Sequence, residues 1–203
     1  RLPKQTLAFF GIEQDQRVLE LLPGGGWYTR LLAPALDGTG QLYLAFAQRM
    51  PKQLREAPIM KNVKRLEFDA EMQATEQRGI FGLGSFDFGV RDLDAVLTFR
   101  NLHNLTPTAR ANLNKAVFEV LRPGAVYGVI DHSRRHMEPD EAKNWRRVDP
   151  VRVIEEIQAA GFVLEGSSDL HYRPLDPLER EVGDASVAGK TDRFTLRFRK
   201  PAS

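Results

Sequence analysis

Cysteine is absent from this chain of 203 residues. That excludes disulfides, thiolate zinc sites and a cysteine nucleophile, and it leaves the redox compartment open. An excess of one charge is also lacking: 29 Lys and Arg face 27 Asp and Glu, for a net charge of +2. Neither nucleic acid nor an anionic membrane is therefore demanded as a partner. The weak basic clusters, His132 to His136 and Arg146-Arg147, read as a solvated face. No apolar run approaches the roughly 20 residues that a membrane span needs. Repeats, linkers and low-complexity tracts are missing too, so residues 1–203 read as a single domain. The chain opens on Arg1 without a methionine, which we read as the removal of preceding residues. Its compartment is then cytoplasmic or, if a signal peptide was lost, periplasmic.

What is present is a regular alternation of apolar runs and helical patterns. Strands are expected at residues 17–22, 41–46, 63–68, 94–99, 125–130 and from 162 toward 170. The third is polar and belongs near a sheet edge. Helices are expected over 107–121, capped by Thr106, and over 150–160, capped by Asp149 and stopped by Gly161. A further helix is expected near Glu71, with Asp69 as one reading of its cap. The last segment, Arg193-Phe-Thr-Leu-Arg-Phe-Arg199, alternates apolar and polar residues, the mark of a half-exposed antiparallel strand. Strands alternating with helices imply a parallel sheet covered on both faces.

The densest signal lies at Val18 to Thr29. An apolar strand ends at Pro23 and three consecutive glycines, Gly24, Gly25 and Gly26, and passes directly into Leu31, Leu32 and Leu36 at helical spacing. Glycines at a strand-to-helix turn let the backbone approach a ligand, and the helix start offers free N–H groups. No Gly-Lys-Ser/Thr follows, so this is not a phosphate loop of the Walker type. It is also a poor dinucleotide fingerprint, because Thr29 stands where the third glycine belongs.

The pattern Glu20-x-x-Pro23-Gly24-x-Gly26-x-x-Thr29 resembles the first motif of class I methyltransferases, which bind S-adenosylmethionine. The resemblance extends over most of the chain. Leu7 to Gly11, Leu21 to Thr29, Leu97 to Asn104, Val148 to Pro150 with Ala159 to Phe162, and Lys190 to Phe194 are similar to a family of bacterial predicted methyltransferases of unknown substrate. Arg100-Asn101 is also similar to the quinone C-methyltransferases. The resemblance implies a Rossmann-like, doubly wound, mostly parallel α/β sheet of seven strands with a C-terminal antiparallel strand pair. It implies S-adenosylmethionine as cofactor, with Glu20, Pro23, Gly24 to Gly26, Asp69, Ala70, Arg100 and Asn101 around it. Two departures stand out. Leu22 occupies a position where many members carry glycine. The second strand, Tyr43 to Gln48, also lacks the carboxylate that clamps the ribose hydroxyls in the family, with Gln48 as a neutral substitute. Losing such a charge-assisted bond, worth roughly 1.5–3 kcal/mol, would weaken binding about ten- to a hundredfold.

In an open parallel sheet the ligand sits beyond the carboxyl ends of the strands. The most polar turns there carry Arg100, Asn101, His103 and Asn104 after the fourth strand, and Asp131, His132 and Arg134 after the fifth. His103 and His132 are the general-base candidates, since imidazole titrates nearest neutral pH. Trp27, Tyr28, Asn104 and Asp131 are placed on the side of a small-molecule methyl acceptor. His132 and His136 lie four apart and could share a helical face, but no third ligand completes a metal site. Three readings follow: a methyltransferase, a non-catalytic ligand-binding protein on the same fold, and a nicotinamide-dependent oxidoreductase, the last disfavoured by Thr29 and the antiparallel tail.

Overall fold

The computed structural model describes residues 2–202. In chain order the elements are α1 (Pro3–Phe10), β1 (Arg17–Leu21), α2 (Thr29–Ala35), β2 (Gln41–Ala45), α3 (Lys52–Arg55), β3 (Lys64–Arg65), β4 (Gln73–Ala74), β5 (Phe81–Gly82), β6 (Leu93–Phe99), α4 (Pro107–Val120), β7 (Leu121–His132), α5 (Pro150–Ala159), β8 (Val163–Ser168) and β9 (Arg193–Arg199). Seven strands form one sheet in the order β3-β2-β1-β6-β7-β9-β8. The pairs from β3 to β7 are parallel, and β9 is antiparallel to both β7 and β8. The alternating segment at 193–199 is thus the antiparallel strand inserted between its two neighbours, and the polar third strand is the edge.

Side-chain alternation along the strands builds a core on each face of the sheet. Leu19, Leu21, Val96, Tyr127 and Val129 pack with Leu113, Val117, Val153 and Ile157 of α4 and α5. Val18, Leu97 and Ile130 pack with Phe10 of α1, Leu32 of α2 and Leu54 of α3 on the other face. The two long helices start as their capping residues dictate. Thr106 Oγ1 accepts the Ala109 amide at 3.1 Å, and Asp149 Oδ1 accepts that of Val151 at 2.9 Å. The connection between β8 and β9 is irregular but anchored. Arg147 and Asp176 form a fully buried ion pair at 2.8 Å, and Asp176 also accepts the Asp192 amide at 2.6 Å.

The helix expected near Glu71 is absent. Residues 73–82 form the hairpin β4–β5 instead. Thr75 Oγ1 bonds the carbonyls of Gln77 and Ile80, and Gly79 turns the chain at φ 79°. The hydroxyl thus offers the backbone an alternative to a helix, and Asp69 caps nothing. His132 and His136 do not share a helical face either: His132 ends β7, and His136 lies in the following loop against Asp149.

Candidate active site

Three adjacent parallel strands, β2, β1 and β6, end alike. Each is followed by a non-glycine residue in the left-handed region: Phe46 at φ 56°, Leu22 at 48° and Arg100 at 65°. Each such residue costs of order 1 kcal/mol or more and turns the chain sharply away from the sheet. The row of bends forms one rim. The backbone angle at Leu22 explains why relatives of this motif favour glycine there.

The glycines after β1 divide the work. The Gly26 amide donates to the Pro23 carbonyl at 2.8 Å, and a Cβ added at Gly26 would fall 2.1 Å from Leu54 Cδ2. Gly26 is therefore needed for packing against α3. A Cβ at Gly24 would meet nothing nearer than the Leu22 carbonyl oxygen at 4.0 Å, and one at Gly25 nothing within 4 Å. The amides of Gly24 and Gly25 have no partner among the described residues. Gly24 faces a cleft of about 340 Å³, whose walls include Phe46, Phe81 and Leu105 and whose polar groups include Gln48, Glu71, Asn101 and Asn104. A second cleft of about 380 Å³, running along β3 past Glu67, shares Phe46, Gln48 and Ala70 with it. The two adjoin at these residues and together make a trough beside the carboxyl ends of β3, β2, β1 and β6.

Several of the expected residues line this trough, and others do not. Gly24, Ala70, Asn101 and Asn104 line it, and Pro23 lies in the same turn. Asn101 Nδ2 also ties β6 to β1 through the Leu21 carbonyl at 3.2 Å and Thr98 Oγ1 at 3.1 Å. Asp69 is exposed next to Ala70, outside the lining. Glu20 is buried below the turn, where Thr29 Oγ1 donates to it at 2.6 Å. Burial pushes its carboxyl up to about 7, with the Thr29 bond pulling the other way. Arg100 instead borders a small depression with Tyr28, His171 and Arg193. Tyr28 stacks on Phe99 at 3.6 Å, and Trp27 packs edge-on against Tyr28 at 4.7 Å, so both aromatics serve the core around α2.

The two histidine rings lie close, with centroids 5.7 Å apart, but are held by different partners. Asp131 is fully buried on β7 and accepts three hydrogen bonds: from the His103 amide at 3.1 Å, from His103 Nδ1 at 2.5 Å and from the His132 amide at 2.7 Å. Burial pushes this carboxyl up, but His103, by charge and hydrogen bond, together with His132, outweighs it and leaves it below its ordinary value. An ionised Asp131 holds the Nδ1–H of His103, which leaves Nε2 as the free acceptor. His132 Nδ1 meets Thr191 Oγ1 at 3.0 Å. Burial pushes its imidazole down to about 3, so it stays neutral across the physiological range.

His103 lines a third cleft of about 360 Å³, bounded by α4, the loop after β7 and the start of α5. Leu105 borders both this cleft and the glycine-turn trough. No sequence signal marks Glu71 as a cleft residue, and from the loop after β7 the sequence offers only Arg134 and the basic run to His136. Among the described residues no three His, Cys, Asp or Glu side chains converge as metal ligands, and no helix is long and apolar enough to cross a membrane.

No protein-family model matches the chain. An uncharacterized methyltransferase from Synechocystis sp. is 32% identical over 154 residues, which cover 76% of this chain and 60% of that protein. The chain thus spans less than two thirds of that relative's length. Among solved structures, the [4+2]-cyclase SpnF superposes with a TM-score of 0.66 at 16% identity, over 100% of this chain and 81% of its own. A SAM-dependent methyltransferase from Aquifex aeolicus superposes at 0.62 with 17% identity, over 98% of this chain and 89% of its own. Strand order, the antiparallel β9 and these likenesses agree on the fold: a Rossmann-like, mostly parallel seven-stranded sheet with a C-terminal antiparallel pair, as in these solved structures.

Proposed function

We propose that this chain is an enzyme that transfers a methyl group from S-adenosylmethionine to a small-molecule acceptor. The observation that carries the reading is the meeting, at Leu105, of a cleft lined by Gly24 of the glycine turn and a cleft holding an aspartate-fixed imidazole. The residues present fit the cofactor. Gly24 lines the cleft at a point where a Cβ would meet no neighbour nearer than 4.0 Å, and its unpartnered amide would suit an acceptor-rich ligand. Gln48 and Glu71 line the same cleft and would accept from the ribose hydroxyls, Glu71 as the carboxylate that β2 lacks. Ala70 and the Phe46 ring give the apolar surface for a flat base, with Asp69 and Glu67 at its edge.

When bound, the cofactor supplies an electrophilic methyl carbon on a positively charged sulfur. The chain supplies position and a base. Holding both reactants in adjoining clefts removes much of the entropic barrier to a bimolecular transfer. His103 Nε2 takes the proton released by a nitrogen or oxygen nucleophile, and the ionised Asp131 stabilises the imidazolium so formed. His132, neutral and beside the His103 ring, is held by Thr191 in the segment before β9. Because SpnF, a cyclase, shares this fold, the fold by itself does not dictate methyl transfer. Calorimetric titration with S-adenosylmethionine, followed by a screen of phenols, quinols and amines for methylated product, tests the proposal. Saturable binding with turnover supports it, and absence of binding overturns it.

A further inference from the structure

The cleft beside His103 carries more cationic groups than the sequence pattern drew attention to, and most of them are already used. Arg110 is committed to Glu156 at 2.6 and 2.7 Å and to the Leu105 carbonyl at 2.7 Å. Arg147 is committed to Asp176, Ser133 and Arg180. Asp149 is committed to the amides of Val151 and Met137 and to His136. Two groups remain. The side chain of Arg134 is only 11% exposed, and its Nε and Nη1 are buried without a hydrogen-bond partner. Its Nη1 lies 3.0 Å from Asp140 Oδ1, but out of line for a hydrogen bond, and that aspartate is half exposed. Glu138 lies four residues on, and its Oε2 is likewise buried without a partner. The two opposite charges line the same cleft and do not pair with each other.

Buried polar atoms are almost always satisfied, because leaving them dry is costly. A donor edge and an acceptor oxygen that do not meet each other ask for a third molecule bearing both complements. A simple anion would suit Arg134 and be repelled by Glu138, and a simple amine would do the reverse. The loop carrying the pair is fixed rather than free to collapse. The Arg134 amide donates to the Val148 carbonyl at 3.0 Å, and Asn144 Nδ2 donates to the Pro139 carbonyl at 2.9 Å. Ile80, Pro107 and Val148 give the same cleft an apolar wall.

We infer that this cleft binds an amino-acid-like zwitterion, its carboxylate on Arg134 and its ammonium group facing Glu138, with an apolar side chain against the wall. Arg152, exposed and without a partner among the described residues, stands at the mouth as a second cation for the carboxylate. The inference rests on the methyl-transfer reading only in calling that molecule the acceptor.

The test is a thermal-shift screen of the twenty free amino acids, followed by calorimetry on the best binder, its decarboxylated amine and its deaminated acid. Both analogues should bind at least about tenfold more weakly, the size expected for one lost charged contact. Arg134→Gln should erase the preference over the amine, and Glu138→Gln the preference over the acid. The second variant is nearly isosteric and keeps the test open if the first fails to fold. No binding by any free amino acid, or equal binding of the deaminated acid, overturns the inference. Titration with S-adenosylhomocysteine on the same sample reads the other proposal separately. If it binds and no amino acid does, only the zwitterion inference falls. If an amino acid binds with both charge preferences and S-adenosylhomocysteine does not, the zwitterion site stands and methyl transfer falls.

Discussion

Replacing Glu20 with glutamine should flatten the pH dependence of stability. The carboxyl is 2% exposed and accepts one hydrogen bond, from Thr29. Burial raises it from an ordinary 4.5 to about 7. Because the folded value lies above the unfolded one, its stabilising contribution is fully present below pH 4.5 and is lost as pH rises through 7. At 1.36 kcal/mol per pH unit, the whole difference is worth about 3 kcal/mol at pH 8. Most of that loss, about 2–3 kcal/mol, falls between pH 5 and pH 8. Glutamine keeps an acceptor for the Thr29 hydroxyl and never ionises. Urea unfolding of parent and variant at pH 5 and pH 8 measures the effect. The variant should match the parent at pH 5 within about 1 kcal/mol and exceed it by about 2–4 kcal/mol at pH 8. Equal slopes with pH in both proteins would refute the reasoning, and so would a variant weaker than the parent at pH 8.

Other substitutions separate the parts of the site. Gly24→Val should abolish S-adenosylmethionine binding by calorimetry; its side chain enters open space, but the backbone at φ 54° strains a branched residue, so the melting temperature should fall by a few degrees while unfolding stays cooperative. Gly26→Ala should instead lower the melting temperature, because its Cβ collides with Leu54. His103→Ala should cut turnover by about a hundred- to ten-thousandfold while cofactor affinity stays within a few-fold. His132→Ala should show the opposite balance, a lower melting temperature with far smaller loss of rate, since its ring bonds Thr191 inside the protein. Arg147→Ala should cost about 3–5 kcal/mol in denaturant unfolding, because it strands Asp176 in a fully buried position.

The sheet was legible because periodicity records burial. The runs at 17–22 and 94–99 are apolar on both faces, as central parallel strands must be, and 193–199 alternates, as its inserted antiparallel place allows. The hairpin at 73–82 was not legible, because Thr75 and Gly79 act through turn chemistry that competes with a helical reading of Glu71 onward. The two histidines looked equivalent because both follow strands. What distinguishes them is the partner, Asp131 for the His103 ring and Thr191 for the His132 ring, and not distance, since the rings lie 5.7 Å apart. Arg134 and Glu138 could not be told from surface charges by sequence, because their isolation depends on which neighbours are already paired. The role of Glu71 was hidden for a related reason, since it reaches the trough from a loop and not from the strand end where a carboxylate is expected.

Isothermal titration of the protein with S-adenosylmethionine tests the central claim most directly. The account predicts saturable binding of one molecule per chain, weakened about tenfold or more in Glu71→Gln and absent in Gly24→Val. No heat of binding at millimolar cofactor, from protein that melts cooperatively, would contradict it.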